Sequence, residues 1–119
     1  MKLLLMLAAP AIAHSQAVVV YSHHDAQQAQ RVRAMQALTE PTLMDRDIPP
    51  GANWRAVMGQ ALCNARLVLL VWSAKAAESQ EVGAEWRIAA ACGRRIVGVM
   101  LDDTKLPAEA ATVQAVDWR

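Results

Sequence analysis

Short apolar runs alternate along the chain with segments of mixed polarity. Three runs are dominated by aliphatic and β-branched residues: Ala17–Tyr21, Leu67–Trp72 and Arg95–Leu101. Such runs are typical of strands buried on both faces, as in a parallel sheet that helices cover. Two weaker runs, Leu43–Met44 and Val113–Trp118, predict two further strands. The apolar pattern therefore indicates five strands.

Helical periodicity fills the segments between these strands. Asp25 and Gln28 resemble a capping box at the start of a helix over Ala26–Leu38. A second helix has apolar residues at i, i+3, i+4, i+7 and i+8: Trp54, Val57, Met58, Ala61 and Leu62. A third has an apolar stripe, followed by a glycine that predicts the helix end: Val82, Trp86, Ala89, Ala90 and Gly93. Strands that alternate with helices predict an α/β domain with a five-stranded, mostly parallel sheet.

The stretch MDRDIPPGANW, from Met44 to Trp54, places three charges and two prolines directly before the second helix. A proline pushes the preceding residue out of the α region, so helix cannot run through Ile48–Pro49. Asn53 can then cap a new helix by accepting a bond from a free backbone amide. The stretch is therefore predicted to be a stiff loop between a strand and a helix.

Length and charge set limits on the class of protein. The chain has 119 residues, which fits one domain, and its hydrophobic fraction of 55% argues against disorder. A net charge of +1 gives no electrostatic case for nucleic acid or for an anionic membrane surface. Cys63 and Cys92 are isolated, so neither a zinc site nor a disulfide framework is expected, and both are interpreted as small buried apolar side chains.

The first residues, 1–16, read as an apolar leader that precedes the domain. MKLLLMLAAPAIA has one lysine, a short apolar run and an Ala-x-Ala-like site ending at Ala13, which is the outline of a secretory signal peptide. The run is too short to span a bilayer. Two locations therefore stay open: the cytoplasm, with the leader packed on the domain edge, or export after cleavage.

Polar residues follow the predicted strands, at the sheet edge where such folds bind ligands. The sets are Tyr21-Ser22 with His23, His24 and Asp25; Asp45-Arg46-Asp47; Trp72-Ser73; and Asp102-Asp103. Solvated loops are the plainer interpretation of the same residues. Adjacent histidines point apart, and no spacing of His, Cys or Glu completes a ligand set, so no metal site is predicted.

Several common chemistries lack their motifs here. The chain has no phosphate-binding P-loop, no Gly-x-Gly-x-x-Gly and no Gly-x-Ser-x-Gly nucleophile elbow. What remains is a carboxylate, Glu85, which borders the apolar stripe of the third helix and lies one turn from Glu81. Partial burial and a like charge would both raise the pKa of Glu85. A solvated acidic face is the alternative.

Four segments, in order, resemble a bacterial Toll/interleukin-1 receptor (TIR) domain. They are VVVYSHHD, LMDRDIPPGANW, ARLVLLVWS and SQEVGAEWRIAAACGRRIVGVMLDD. Together they cover nearly all of residues 17–119, which would then form the TIR domain. The resemblance implies a flavodoxin-like sheet with helices on both faces. The final helix usual in the family is expected to be absent, since the sequence stops soon after the last strand.

The resemblance also implies roles for individual residues. The proline-rich stretch corresponds to the BB loop, which borders the active cleft and mediates self-assembly: Arg46, Asp47, Ile48, Pro49, Pro50 and Gly51. Many bacterial TIR domains cleave NAD with a glutamate on the helix after the third strand, and Glu85 keeps the family's six-residue spacing from Ser79. Ser79 is also a candidate for lining the pocket, together with five residues that lie at the sheet edge: Tyr21, Ser22, Asp45, Trp72 and Ser73. Glu81 stands where the family has a tryptophan.

Three functions are compatible with this resemblance. The first is an NAD glycohydrolase that releases nicotinamide and ADP-ribose or a cyclic form, in defence or cell-death signalling. The second is a catalytically weak module that binds other TIR domains. The third is an enzyme like the nucleoside deoxyribosyltransferases, which also cleave a glycosidic bond with a glutamate. NAD is expected as substrate, with no separate cofactor or metal. Partners are expected to be TIR domains, including further copies of this chain.

Overall fold

Five parallel strands form one sheet in the computed structural model, which describes residues 16–110 and 114–119. The strands are β1 (Ala17–Val20), β2 (Thr42–Leu43), β3 (Leu67–Trp72), β4 (Ile96–Met100) and β5 (Gln114–Asp117). Their order across the sheet is β2-β1-β3-β4-β5, and every neighbouring pair is parallel. This is the order of flavodoxin-like sheets. It confirms the predicted fold class.

The central strands are apolar throughout because both of their faces are covered. Every residue of β1 and β3 is buried. Val18 and Leu70 belong to the core on one face, whereas Val19 and Leu69 belong to the core on the other. Successive side chains of a strand point to opposite faces. A continuous apolar run was therefore the right signal for these strands.

Within the described residues, four helices cover the two faces of the sheet: α1 (Ala26–Gln36), α2 (Trp54–Asn64), α3 (Ala74–Glu78) and α4 (Gln80–Ala91). Buried residues of α1 pack on one face, and those of the other three helices pack on the opposite face. Short 3₁₀ helices begin two of the loops, at His23–Asp25 and Asp45–Asp47. The sequence did not predict α3, since five residues are too few for an apolar period to be recognised.

Local capping rules correctly predicted two of the three helix ends. The Asn53 side chain accepts a bond from the Ala56 amide at 3.3 Å and caps α2, as expected. Gly93 has a φ of 71°, which is a conformation that favours glycine after a helix end. Asp25 does precede α1, but its side chain makes no capping bond. The predicted capping box is therefore wrong.

The two cysteines form a disulfide, so their interpretation as separate apolar side chains is also wrong. Cys63 lies in the last turn of α2, and Cys92 directly follows α4. Their Cα atoms are 5.3 Å apart, and the residues are half-buried rather than buried. They meet only because α2 and α4 pack side by side, which their separation of 29 residues along the chain does not reveal.

The predicted leader, apart from Gln16, lies outside the described residues, as does Val113 of the predicted fifth strand. Among the residues that are described, no helix is both long enough and apolar enough to cross a membrane.

Candidate active site

A cleft of about 280 Å³ runs between α2 and α4, and we call it the α2–α4 cleft. Five residues of each helix line it: Trp54, Arg55, Met58, Gly59 and Leu62 from α2, and Gln80, Glu81, Ala84, Glu85 and Ile88 from α4. Both helices begin near the carboxyl edge of the sheet, because α2 follows β2 after the loop, and α4 follows β3 after the short helix α3. The cleft therefore opens toward the edge where ligands of such folds bind.

Glu85 is the half-buried carboxyl group of this cleft. Burial, the nearby carboxylate of Asp45 and that of Glu81, in this order of importance, raise the pKa of Glu85 from 4.5 to about 8. Each effect disfavours the ionised form. The rise expected from the sequence is confirmed, and Asp45 is a contributor that the sequence did not reveal. Strongly perturbed carboxyl groups in clefts are candidates for catalysis.

A second cleft, of about 340 Å³, adjoins the first, and we call it the polar cleft. It is lined by Tyr21, Ser22, His23, His24, Asp45, Lys75, Glu78, Ser79 and Glu81. Glu81 is exposed and lines both clefts, so it forms their common wall. Four of the predicted pocket residues are thus brought together next to Glu85: Tyr21, Ser22, Asp45 and Ser79.

Hydrogen bonds hold Asp45 in the polar cleft. The Tyr21 hydroxyl donates to Asp45 Oδ1 at 2.5 Å, and His23 Nε2 lies 3.4 Å from Asp45 Oδ2. Burial and this bond to Asp45 raise the pKa of Tyr21 well above its usual value, so the hydroxyl stays a donor at ordinary pH. The carboxylate that perturbs Glu85 is therefore fixed in place by β1 and the residues that follow it.

The other two predicted pocket residues lie elsewhere. Trp72 is buried, and its indole Nε1 donates to the carbonyl oxygen of Lys105 at 2.9 Å. Ser73 is also buried; it caps α3 by accepting from the Ala76 amide and donates to Asp25 at 2.5 Å. Neither residue lines either cleft. Their position at the end of β3 is as predicted, but their side chains stabilise the fold.

Comparison with known families identifies the fold. The model of the TIR domain family matches residues 18–119. The chain belongs to the TIR domain family. No curated protein matches it.

Solved structures of TIR domains share its architecture. The TIR domain of the Toll-related receptor TRR-2 from Hydra magnipapillata superposes with a TM-score of 0.72 at 16% identity, covering 86% of this chain and 82% of the other. A metazoan TIR-STING receptor from C. gigas gives a TM-score of 0.70 at 22% identity, covering 86% of this chain and 38% of that receptor. At these identities the likeness establishes the fold alone.

The BB loop of this TIR domain connects β2 to α2, as predicted for a stiff loop. The Asp47 carboxylate accepts from the Met44 amide at 2.9 Å and from Arg33 at 3.2 Å. Asp47 and Asp45 thus both make hydrogen bonds within their own domain. Ile48 is buried and anchors the loop. The exposed loop residues are Arg46, Asp47, Pro49, Pro50 and Gly51.

Two cleft residues were not proposed as functional from the sequence. Trp54 was assigned to the apolar face of α2, but it is only half-buried and it lines the α2–α4 cleft. Arg55 is exposed and lines the same cleft. Their place in the first turn of α2, directly after the BB loop, is the signal that would have revealed them. They supply an aromatic ring and a cation to the same cleft as Glu85.

Metal ligands are not clustered in the part of the TIR domain that the structure describes. No group of three or more His, Cys, Asp or Glu side chains there is arranged to hold a metal ion.

Proposed function

We propose that this TIR domain is an NAD glycohydrolase in which Glu85 is the catalytic carboxylate. The observation that carries the proposal is the half-buried position of Glu85 in the α2–α4 cleft, where burial and two neighbouring carboxylates perturb its pKa. A carboxylate at such a position can stabilise positive charge in a site from which water is partly excluded.

The reaction breaks the bond between ribose C1′ and the nicotinamide nitrogen. The bonding electrons leave with nicotinamide, which departs neutral, so the leaving group needs no proton. Positive charge develops on the ribose, and ionised Glu85 stabilises it, as carboxylates do in glycoside cleavage. Water then adds to C1′ and loses a proton, which gives ADP-ribose; attack by a group of the same molecule gives a cyclic form.

The two clefts together suit the two halves of NAD. The nicotinamide end would enter the α2–α4 cleft, where the Trp54 indole offers a face for stacking and the ribose would lie at Glu85. The polar cleft presents hydroxyls from Tyr21 and Ser79, which suit ribose hydroxyls. Lys75 is the cation there that can pair with the pyrophosphate, which must lie away from the carboxylates of Asp45, Glu78 and Glu81. Glu81, the common wall, would then lie beside the scissile bond.

The decisive experiment is an NAD-consumption assay on the purified chain. Nicotinamide release should be measured by chromatography over about a hundredfold range of protein concentration, because an activity that needs self-association follows mass action. We expect release, with a rate per molecule that rises with concentration. If no nicotinamide appears at any concentration, the glycohydrolase proposal fails. Exchange of bases between deoxynucleosides, tested in parallel, would instead indicate deoxyribosyl transfer.

A second candidate function is that of an interaction module in TIR signalling. TIR domains commonly self-associate or bind other TIR domains. The observation in favour is that Arg46 and the Pro49–Gly51 segment of the BB loop are exposed while Ile48 anchors the loop from below. A preorganised exposed loop binds a partner with a small entropic cost. Assembly with TIR domains and no NAD turnover would support this function over the first.

Replacing Pro49 and Pro50 with alanine should reduce self-association and any concentration-dependent activity more than it reduces stability. The two prolines restrict the conformations that the loop can adopt, also in the unfolded chain. The loss of each should therefore cost only about 0.4–1 kcal/mol in stability. Light scattering over a concentration series measures the association, and thermal unfolding measures the stability. Pro41→Ala is the matched control, since Pro41 is exposed and precedes β2, outside the BB loop. Unchanged association and activity would make the loop a connector.

A further inference from the structure

We propose that the Cys63–Cys92 pair is a redox modification site whose disulfide holds the α2–α4 cleft at its working width. This inference deepens the proposed function and rests on it only where NAD turnover is the measurement. Oxidation would keep the cleft closed around Glu85, and reduction would let its walls separate. The redox state of the surroundings would then set the activity of the domain.

The disulfide joins the same two helices that form the cleft. All ten lining residues belong to α2 or α4, and the disulfide connects the last turn of α2 to the residue that follows α4. Leu62, a lining residue, is the neighbour of Cys63, and Ile88 lies one turn before Cys92. The separation of the Cα atoms, 5.3 Å, lies within the range usual for disulfides. The cross-link is therefore placed to fix the spacing of the two walls.

Few other bonds fix that spacing. Within the described parts of the chain, no hydrogen bond or ion pair connects α2 with α4. The helices are held by apolar residues of one core cluster, such as Met58 and Leu62 from α2, which also line the cleft, and Val82 and Trp86 from α4. Apolar packing resists separation but is not directional. The disulfide is the one covalent constraint between the walls in the described structure.

The chemistry is thiol–disulfide exchange. Two cysteine thiols and one molecule of oxidised glutathione give the protein disulfide and two molecules of reduced glutathione, so atoms and electrons balance. Both cysteines are half-buried rather than sealed in the core, so a small thiol has a route to them. A reducing compartment would favour the open form, and an oxidising compartment would favour the cross-linked form.

The first test needs no substrate. The purified chain is incubated with either oxidised glutathione or a phosphine reductant, then alkylated without denaturant and weighed by mass spectrometry. We expect no alkylation after oxidation and two adducts after reduction. Closing a loop of this size by a disulfide stabilises a small domain enough that reduction should lower Tm by on the order of 10 °C. Two adducts on the oxidised chain would overturn the proposal.

The second test asks whether the disulfide acts on the cleft. Amide hydrogen exchange is compared between the oxidised and reduced chain, and we expect faster exchange in residues 54–64 and 80–91 with little change in β1 and β3. If both helices exchange at the same rate in the oxidised and the reduced chain, the disulfide does not hold the cleft. Cys63→Ser/Cys92→Ser should show the exchange of the reduced chain and should not respond to reductant.

NAD turnover is the last measurement. Reduction should lower the rate several-fold in the parent chain and leave the rate of the double variant unchanged. If the parent is inactive in both redox states, the glycohydrolase proposal fails. Mass spectrometry and hydrogen exchange then still test whether the disulfide forms and holds the cleft. If the variant does not fold, the reversible change in the rate of the parent between its oxidised and reduced states decides the question alone. A parent rate that is equal in both states would overturn redox control.

Discussion

Glu85→Gln should lower the rate of nicotinamide release by on the order of 100-fold or more, because it removes the charge that stabilises the ribose cation. Glutamine keeps the size of the side chain and suits a helix, so α4 and the α2–α4 cleft should form as before. The measurement is NAD turnover at saturating substrate, with circular dichroism to verify the fold. A rate close to that of the parent would remove Glu85 from the catalytic role.

Glu109→Gln is the matched control for this substitution. Glu109 is exposed and lines neither cleft, so the same chemical change there should leave the rate unchanged.

The stability of the protein provides a readout of Glu85 that is independent of activity. Folding raises the pKa of Glu85 from 4.5 to about 8, so the folded state binds more protons than the unfolded state between these values. The parent should therefore lose stability as pH rises through this window.

Glu85→Gln lacks this proton linkage. The variant should be more stable than the parent above pH 8, by at least about 1 kcal/mol even if solvent screens most of the effect. Denaturant unfolding at low and high pH measures the difference, and Glu109→Gln should follow the parent at every pH. If the difference in free energy of unfolding between the parent and Glu85→Gln is the same at pH 5 and at pH 9, Glu85 is solvated in the folded state. If Glu85→Gln is more stable than the parent above pH 8 but still cleaves NAD, Glu85 is buried without being catalytic.

The strands and most helices were predictable because their signals are local. A strand buried on both faces must be apolar at nearly every position, as Leu67–Trp72 is, and that pattern is complete within six residues. Asn53 and Gly93 act on the backbone next to them, so a few residues are enough to predict their effects. Val18 and Val19 face opposite cores for the same local reason, the alternation of side chains along a strand.

What the sequence did not reveal depends on contacts between distant segments. Asp25 was expected to cap α1, but a hydroxyl 48 residues away, on Ser73, uses its carboxylate instead. Cys63 and Cys92 pair because two helices pack side by side, and no local spacing encodes that packing. Trp72 fills the core and bonds to Lys105 after β4. In each case the partner is chosen by the tertiary fold.

The candidate site also has features that local sequence signals predict and features that depend on tertiary contacts. Glu85 was found from its spacing to Ser79 and from its place at the edge of an apolar stripe, both of which are local. The contribution of Asp45 to its pKa depends on how the end of β2 approaches α4, which is a property of the sheet. Trp54 was missed because a tryptophan on the apolar face of an amphipathic helix usually belongs to the core.

NAD turnover should rise with pH and reach half of its maximum near pH 8. The proposed chemistry needs ionised Glu85, whose pKa is raised to about 8. At pH 7 only about one tenth of such a group is ionised. The rate at saturating NAD should therefore fall about tenfold for each unit of pH below the midpoint. Measurement from about pH 6 to 9.5 gives the profile, with NAD stability followed in blanks without protein.

Asp45→Asn and Glu81→Trp should both move this midpoint to lower pH, because each removes a carboxylate that makes ionisation of Glu85 harder. Asp45 has the larger influence of the two, so its substitution should give the larger shift. Neither change should restore the ordinary value of 4.5, since burial is the leading cause and remains. Glu109→Gln is again the control and should leave the midpoint where it is in the parent.

Glu81→Trp should also raise the maximal rate, and this second effect separates two views of the common wall. If Glu81 borders the bound ribose, tryptophan removes a charge from the site and adds an aromatic face on which NAD can stack. If Glu81 only faces solvent, an exposed tryptophan would merely promote aggregation. Kinetics of the monodisperse fraction decide between them: an unchanged rate and an unchanged midpoint would exclude position 81 from the site. A rate that instead falls as pH rises toward 9 would mean that Glu85 acts in its protonated form, donating rather than stabilising charge.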